Sequence, residues 1–289
     1  MEEFVSYFKI GDIVAGMVSN VKIRINESLK PFEITASSPD ITIIVNATSD
    51  FPSVPHKYLG HDLLLEYYKG EDNYYYTFSR GKSEHAVMCK YKADFSETYV
   101  YLNESKYPGM IWDADKILPF LPICQFLYKN NAMLLRSSCI VVDHKSIVFT
   151  VPGQADNTTQ AKLWHECEGA EIINKNRTLL RKIHSQFYTY GCSIDENNPA
   201  YANTQYELGA IVILQQSNEN RIIKMNLFQK IKYLMEQTIV DTWNKAEQKG
   251  MEALYRDLIE ACPVYLLEYT SDQNAVNCLK QQLKMDEIS

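Results

Sequence analysis

At 289 residues and 46% hydrophobic content, the chain carries enough apolar material for one large or two modest domains. Its net charge of −7 leaves no excess of basic residues to neutralise phosphates, which argues against a general nucleic-acid binder. No apolar run approaches a membrane span, and Met1 to Val5 lacks the basic, then apolar pattern of a signal peptide. The seven cysteines are scattered, odd in number and form no C-x-x-C pair. They read as reduced thiols of a cytoplasmic protein, without a zinc or redox motif.

In chain order, residues 1–115 read as a β-rich domain. Ile41 to Val45 is β-branched, and Tyr74 to Phe78 and Thr98 to Leu102 are aromatic and β-branched. Turn signals at Lys69 to Asn73 and Ser79 to Lys82 punctuate them. Many of the twenty tyrosines fall here. A tyrosine-rich sheet surface suits sugar or peptide binding, and it equally suits strand packing with the hydroxyl at the rim.

From residue 116 the pattern becomes α/β. A helix entered through prolines is expected over Ile117 to Leu127, and short strands at Met133 to Leu135 and Cys139 to Val142. Asp143 to Lys145 reads as a turn into a strand at Ile147 to Phe149. Residues 158–168 read as a helix closed by Gly169. Strands follow at Glu171 to Ile173 and Leu208 to Leu214, the latter the strongest buried-strand signal. Helical spacing runs through residues 226–260, with a last strand at Val264 to Leu267 and a last helix at Asn274 to Leu283. Strands alternating with helices define an α/β domain over 116–289.

The segment between the strand at Ile147 and the helix at Thr158 has the strand–loop–helix setting of a phosphate-binding loop. The pattern G-x-x-x-x-G-K-[ST], laid on Val151 to Thr158, is met only at Thr158. Val151 and Asp156 stand where glycines belong, and Asn157 where the lysine belongs.

Taken in order, several segments resemble a known group. Leu134-Leu-Arg-Ser-Ser-Cys-Ile140 is similar to L-L-H-S-S-x-I, and Phe149 to Trp164 to F-x-G-P-S-G-x-G-K-S-T-Q-A-x-L-W. Gly169 to Arg177 is similar to G-A-x-I-I-N-G-D-R, and Thr189-Tyr-Gly191 to a tight turn. Gln216, Asn220 and Arg221 are similar to Q-x-x-x-N-R after the Leu208 strand. Cys262 to Leu266, Asn274 to Val276, and Asp241-Thr-Trp-Asn244 also find counterparts, Trp243 as a core residue. The chain thus resembles bacterial kinase-like proteins related to HPr kinase/phosphorylase, whose nucleotide core is shared with phosphoenolpyruvate carboxykinase, over about residues 117–283. The resemblance implies a carboxykinase-like P-loop domain, an accessory role in peptide or protein modification, and a homo-oligomer.

The departures have physical consequences. Asn157 cannot supply the lysine's charge to a β/γ phosphate. Asp156 would set a negative charge beside the phosphates, costing about 4 kcal/mol at 4 Å and an effective dielectric of 20. Asn176 stands for the aspartate that serves as base or metal ligand, and it cannot accept a proton from an attacking hydroxyl. Arg136 replaces a strand histidine. No catalytic residue is expected at the family-equivalent positions Arg136, Asn157 and Asn176. Gly153, Asn157, Thr158, Thr159, Lys175 and Arg177 remain candidates for holding a nucleotide or anion, since Lys175 and Arg136 bring charge back and a helix N-terminus favours an anion. Thr158 is equally an N-cap and Lys175 a solvated lysine.

Other candidates are weaker. His165, Glu166 and Glu168 lack the H-E-x-x-H pattern and read as a surface helix, while His56 and His61 read as loop residues without a third ligand. Cys192 in a loop could be a reactive thiol, without a local base. The expected function is a catalytically impaired, pseudokinase-like homologue that binds a protein or peptide, with no cofactor, no metal, no nucleic acid and no membrane. The alternative is an active serine kinase with a rearranged phosphate site, using ATP and Mg²⁺ with Thr158 as the metal ligand. A sugar or small-anion binder built on the tyrosine-rich sheet is the third reading.

Overall fold

The computed structural model describes residues 3–61, 65–79, 85–105, 108, 113–153, 158–192, 203–241 and 245–288. The chain is a mixed α/β protein with two large sheets, and its contacts divide it into two compact units. The first holds Met1–Phe126 and Asp241–Lys245, the second Leu127–Val240 and Ala246–Ser289.

The first unit is one nine-stranded sheet. Its strands are β1 (Phe4–Ile10), β2 (Ile13–Ser19), β3 (Glu33–Ile34), β4 (Ile41–Ala47), β5 (Lys57–His61), β6 (Glu66–Lys69), β7 (Asn73–Ser79), β8 (His85–Lys92) and β9 (Glu97–Leu102). Their order is β3-β1-β2-β4-β9-β8-β7-β6-β5, with β2, β4 and β9 mutually parallel. The period-2 rule sorts the side chains: Ile41, Ile43 and Val45 of β4, and Val100 and Leu102 of β9, enter one core with Tyr67, Tyr76, Cys89 and Tyr91. β1 turns into β2 through Gly11 and Asp12, at φ 62° and 58°. Two positive φ values in a two-residue loop match the right-handed twist of the hairpin.

Several tyrosines of this sheet are packing residues. The rings of Tyr67 and Tyr76 meet edge-on at 4.9 Å, and those of Tyr76 and Tyr91 at 5.1 Å. Burial pushes the Tyr76 phenol well above its ordinary range, so its hydroxyl stays protonated and donates to the Asp241 carboxylate at 2.8 Å. The Gln125 amide donates to the same carboxylate. These bonds tie residue 241 to the first unit. His61, expected in a loop, ends β5, where its Nδ1 hydrogen-bonds the Tyr58 hydroxyl at 2.6 Å.

Asp113 takes Arg24 and, at 2.9 Å, Lys116. Hydrogen bonds from these two cations hold its carboxyl down at about 2. A carboxyl depressed on folding adds stability above its unfolded value of 3.8 and loses it as pH falls through the folded one. The stability gap between the protein and Asp113→Asn, read from urea midpoints, should therefore hold steady above about pH 5 and close progressively between about pH 4 and pH 2. A gap that stays constant through acid would show that the pair contributes nothing through its charge.

Between residues 113 and 130 the expected single helix is broken. α1 (Ala114–Ile117) gives way to a 3₁₀ turn at Leu118–Phe120, and α2 (Ile123–Lys129) starts anew. Pro119 and Pro122 lack the amide N–H a continuous helix would use, and Leu121, before Pro122, is pushed out of the α region to ψ 151°.

The second unit is a sheet covered on both faces. Its strands are β10 (Ala132–Arg136), β11 (Ser138–Val142), β12 (Lys145–Thr150), β13 (Glu171–Asn174), β14 (Arg177–Ile183), β15 (Gln186–Tyr190), β16 (Gln205–Gln216), β17 (Arg221–Ile223) and β18 (Val264–Tyr269). The order is β10-β14-β15-β16-β12-β11-β13. The long β16 pairs β15 through Gln205 to Glu207 and then β18 through Ile211 to Gln216, and β12, β16 and β18 run parallel. The helices are α3 (Thr158–Glu168), α4 (Leu227–Gln237), α5 (Lys245–Ala261) and α6 (Gln273–Ile288).

Burial on both faces explains the unbroken apolar runs of β12 and β16. Ile147, Phe149, Ala210, Val212 and Leu214 pack with Ala161 and Trp164 of α3 and with Val276 and Leu279 of α6. Val148, Ile211 and Ile213 pack with Ile231 and Leu234 of α4 and Leu254 and Leu258 of α5. α3 ends at Gly169, whose φ of +68° suits glycine. There the Gly169 amide donates to the His165 carbonyl at 3.0 Å, the αL closure, and the Ala170 amide to the Trp164 carbonyl at 3.4 Å.

The helical spacing over 226–260 resolves into two helices. α4 opens on an Asn226/Gln229 capping box and closes where Thr238 and Ile239 leave it, the Ile239 amide donating to the Leu134 carbonyl at 2.8 Å. The expected tight turn at Thr189 to Gly191 is corrected too, since Thr189 and Tyr190 are the last residues of β15. Trp243 and residues 80–82 of the expected turn lie outside the described residues.

Candidate binding site

β12 delivers the chain to the segment that resembles a phosphate loop. At its end Thr150 is fully buried, and its hydroxyl donates to the Arg136 carbonyl at 2.9 Å. The Ser137 amide donates to the Asn176 carbonyl at 3.1 Å. The buried Asn174 side chain donates to the Tyr190 carbonyl at 2.9 Å and accepts from the Cys192 amide. The ends of β10 and β12 and the β13–β14 connection are thereby fixed together, although they lie up to forty residues apart in sequence.

The sequence candidates separate into two places. Gly153 sits just past β12 at φ +81°, and a Cβ there would meet nothing within 4 Å, so the glycine serves conformation rather than close approach. Thr158 and Thr159 open α3. Thr158 is the first residue of α3 rather than the residue before it. Asn157 and Asp156 lie outside the described residues. On the neighbouring strand ends, Arg136 and Arg177 are directly opposed across β10 and β14, with Lys175 and Asn176 in the connection from β13 that leads into Arg177. All four are exposed.

A cleft of about 470 Å³ opens at the carboxyl ends of the three parallel strands. That is where open α/β sheets take ligands, because the strand ends diverge there and the loops supply the walls. Val151 and Pro152 come from the end of β12, Leu214, Gln215 and Gln216 from β16, and Tyr269 and Ser271 from β18 and the turn after it; Thr159 of α3 and Tyr233 of α4 complete the wall. Of the sequence candidates among the described residues, only Thr159 lines it. Arg136, Lys175, Asn176 and Arg177 do not. Among the described residues the lining holds amides, hydroxyls and aromatic rings, and neither a carboxylate nor a lysine or arginine.

The sequence reading missed Gln215, Tyr233, Tyr269 and Ser271. The signal available was positional: Gln215 and Tyr269 each end a buried apolar run, the place where a parallel strand presents its side chains to a crevice.

The remaining candidates resolve as structure. His165 Nδ1 hydrogen-bonds the Ala170 carbonyl at 2.8 Å and stabilises the end of α3. Cys192 is buried rather than presented on a loop, and burial pushes the Cys139 and Cys262 thiols up to about 12, far from a reactive thiolate. All seven cysteines are free. Among the described residues no group of three His, Cys, Asp or Glu side chains could hold a metal ion, and no helix is long and apolar enough to cross a membrane.

No protein-family model matches the chain, and no curated protein matches it. Among solved structures, it is loosely similar to the HPr(Ser) kinase/phosphatase from Coxiella burnetii. That likeness has a TM-score of 0.32 and 9% identity, and covers 54% of this chain and 99% of that one.

Proposed function

We propose that the protein is a catalytically impaired, kinase-like binding protein that holds a polypeptide segment in the cleft at the carboxyl ends of β12, β16 and β18. The observation that supports this reading is the cleft's lining. Gln215, Gln216, Thr159, Ser271 and two tyrosines offer donors, acceptors and flat apolar faces suited to peptide groups. A magnesium-bound triphosphate needs cations and a carboxylate, and the described lining supplies neither. A cytoplasmic setting fits the seven free thiols. A homo-oligomer is part of the same proposal.

One observation favours the second reading, an active serine kinase with a rearranged phosphate site. Arg136 and Arg177 are directly opposed across β10 and β14 and Lys175 precedes the second by two residues, which gathers positive charge at these strand ends. Differential scanning fluorimetry separates the two. ATP, ADP, GTP and pyrophosphate, each with and without Mg²⁺, are expected to leave the unfolding temperature unchanged at millimolar concentration. A ligand at 100 times its Kd would add about 2.7 kcal/mol, so even weak binding is visible. A Mg²⁺-dependent rise abolished by Arg136→Gln would replace the first reading with the second. Peptides selected from a displayed library should bind the protein and lose affinity on Tyr233→Ala or Tyr269→Ala.

A further inference from the structure

The opposite end of the same three strands carries a second, larger cleft, of about 710 Å³. It lies where β12, β16 and β18 begin, so it shares no lining residue with the first. Its inner wall is apolar: Ile147 of β12, Trp164 of α3, Tyr265 of β18 and Leu283 of α6. Its rim carries Lys145, Lys280 and Lys284 with a single acid, Asp143.

Two local features place Lys145 there. The β11–β12 hairpin turns through Asp143 and His144 at φ 48° and 65°, which sets Lys145 as the first residue of β12. Opposite it, the register between β12 and β16 slips between Ser146 and Ile147, leaving Gly209 as the extra residue of a bulge. A Cβ on Gly209 would lie 3.2 Å from Lys145 Cβ and 3.3 Å from the Ser146 carbonyl oxygen. The absence of a side chain therefore lets the lysine stem lie over the bulge. Lys280 is paired with Glu168 at 2.5 Å. Among the described residues Lys145 and Lys284 have no ion-pair partner. Glu207 stands opposite Lys145 across β12 and β16 without an ion pair to it, so two unpaired lysines stand over an apolar wall. Trp164 adds an indole N–H that is buried and meets no acceptor.

We infer that this cleft binds a small amphiphilic monocarboxylate, its apolar body against Trp164, Ile147 and Tyr265 and its carboxylate at Lys145 and Lys284. The volume lies within the range of small-molecule sites. Two lysines without an ion-pair partner select a carboxylate over a neutral or cationic molecule of the same shape.

The probes are octanoate, octanol and octylamine, titrated calorimetrically into the whole chain. Octanoate should bind one site at least ten times more tightly than octanol, and octylamine should not bind measurably. Lys145→Gln, an exposed position that leaves the core alone, should reduce octanoate to the level of octanol without changing octanol itself. Lys284→Gln should act in the same direction. Octanoate affinity should fall as salt is raised while octanol affinity holds. Equal binding of all three probes, octanoate binding indifferent to Lys145→Gln, or no saturable heat would each overturn the assignment. None of these outcomes bears on the first cleft, whose test uses nucleotides and peptides.

Discussion

Phe149→Ala is expected to destabilise the second unit by about 3–5 kcal/mol, the range for a buried phenylalanine whose neighbours cannot close the space it leaves. Phe149 is fully buried on β12, a strand hydrogen-bonded on both sides, opposite Ser138 of β11 and Val212 of β16. Its ring belongs to the layer formed with Trp164, Ala161, Val212 and Leu279. Strand backbones on two sides and helices α3 and α6 above prevent collapse into the cavity. For a unit of this size the unfolding temperature should drop by roughly 6–20 °C. Phe228→Ala is the matched control. That side chain is 76% exposed on α4, and its removal should change stability by no more than about 0.5 kcal/mol. Chemical denaturation of both variants checks the pair. A Phe149→Ala cost near that of the control would mean that β12 is not the centre of this sheet.

The sequence announced this centre because burial on both faces requires it to. Strands β12 and β16 are continuous β-branched and aliphatic runs, and α3 was legible over 158–168 down to its glycine closure. β14 and β15 were not legible. Arg177, Arg181 and Lys182 interrupt the apolar residues of β14, and the His184-Ser185 connection lacks the Asn-Gly or Asp-Gly signal of a tight hairpin. In the first unit β1 and the edge strand β5 hid for a related reason: Lys9 in the one and Lys57 and His61 in the other leave little contrast with loops. The long helical pattern over 226–260 concealed its own interruption, because Thr238, Ile239 and Val240 keep the apolar content high while leaving the helix for a bridge to Leu135. The cleft could not be read at all. Its walls come from the ends of β12, β16 and β18 and from α4, and only the parallel topology brings residues 151, 216, 233 and 269 to one place.

Gln160→Met is expected to raise stability by about 1–3 kcal/mol, an unusual direction for a substitution at a fully buried position. Gln160 lies in the first turn of α3 with no exposed surface, one turn before Trp164. Among the described residues neither its amide nitrogen nor its amide oxygen has a hydrogen-bond partner. Each buried group left unsatisfied costs about 1–3 kcal/mol, because water that served it in the unfolded chain has been lost. Methionine matches the length and flexibility of glutamine, is as good a helix former, and brings a thioether with no such requirement. Thermal and urea unfolding should both shift upward with an unchanged dependence on denaturant. Gln160 directly follows Thr159, which lines the first cleft. A stabilised Gln160→Met that also loses the selected peptides would therefore assign the amide a role in holding them, at the expense of the fold's own stability. A stabilised variant with peptide binding intact would confine Gln160 to the core. A variant less stable than the parent would contradict the premise, showing that the amide is satisfied in solution.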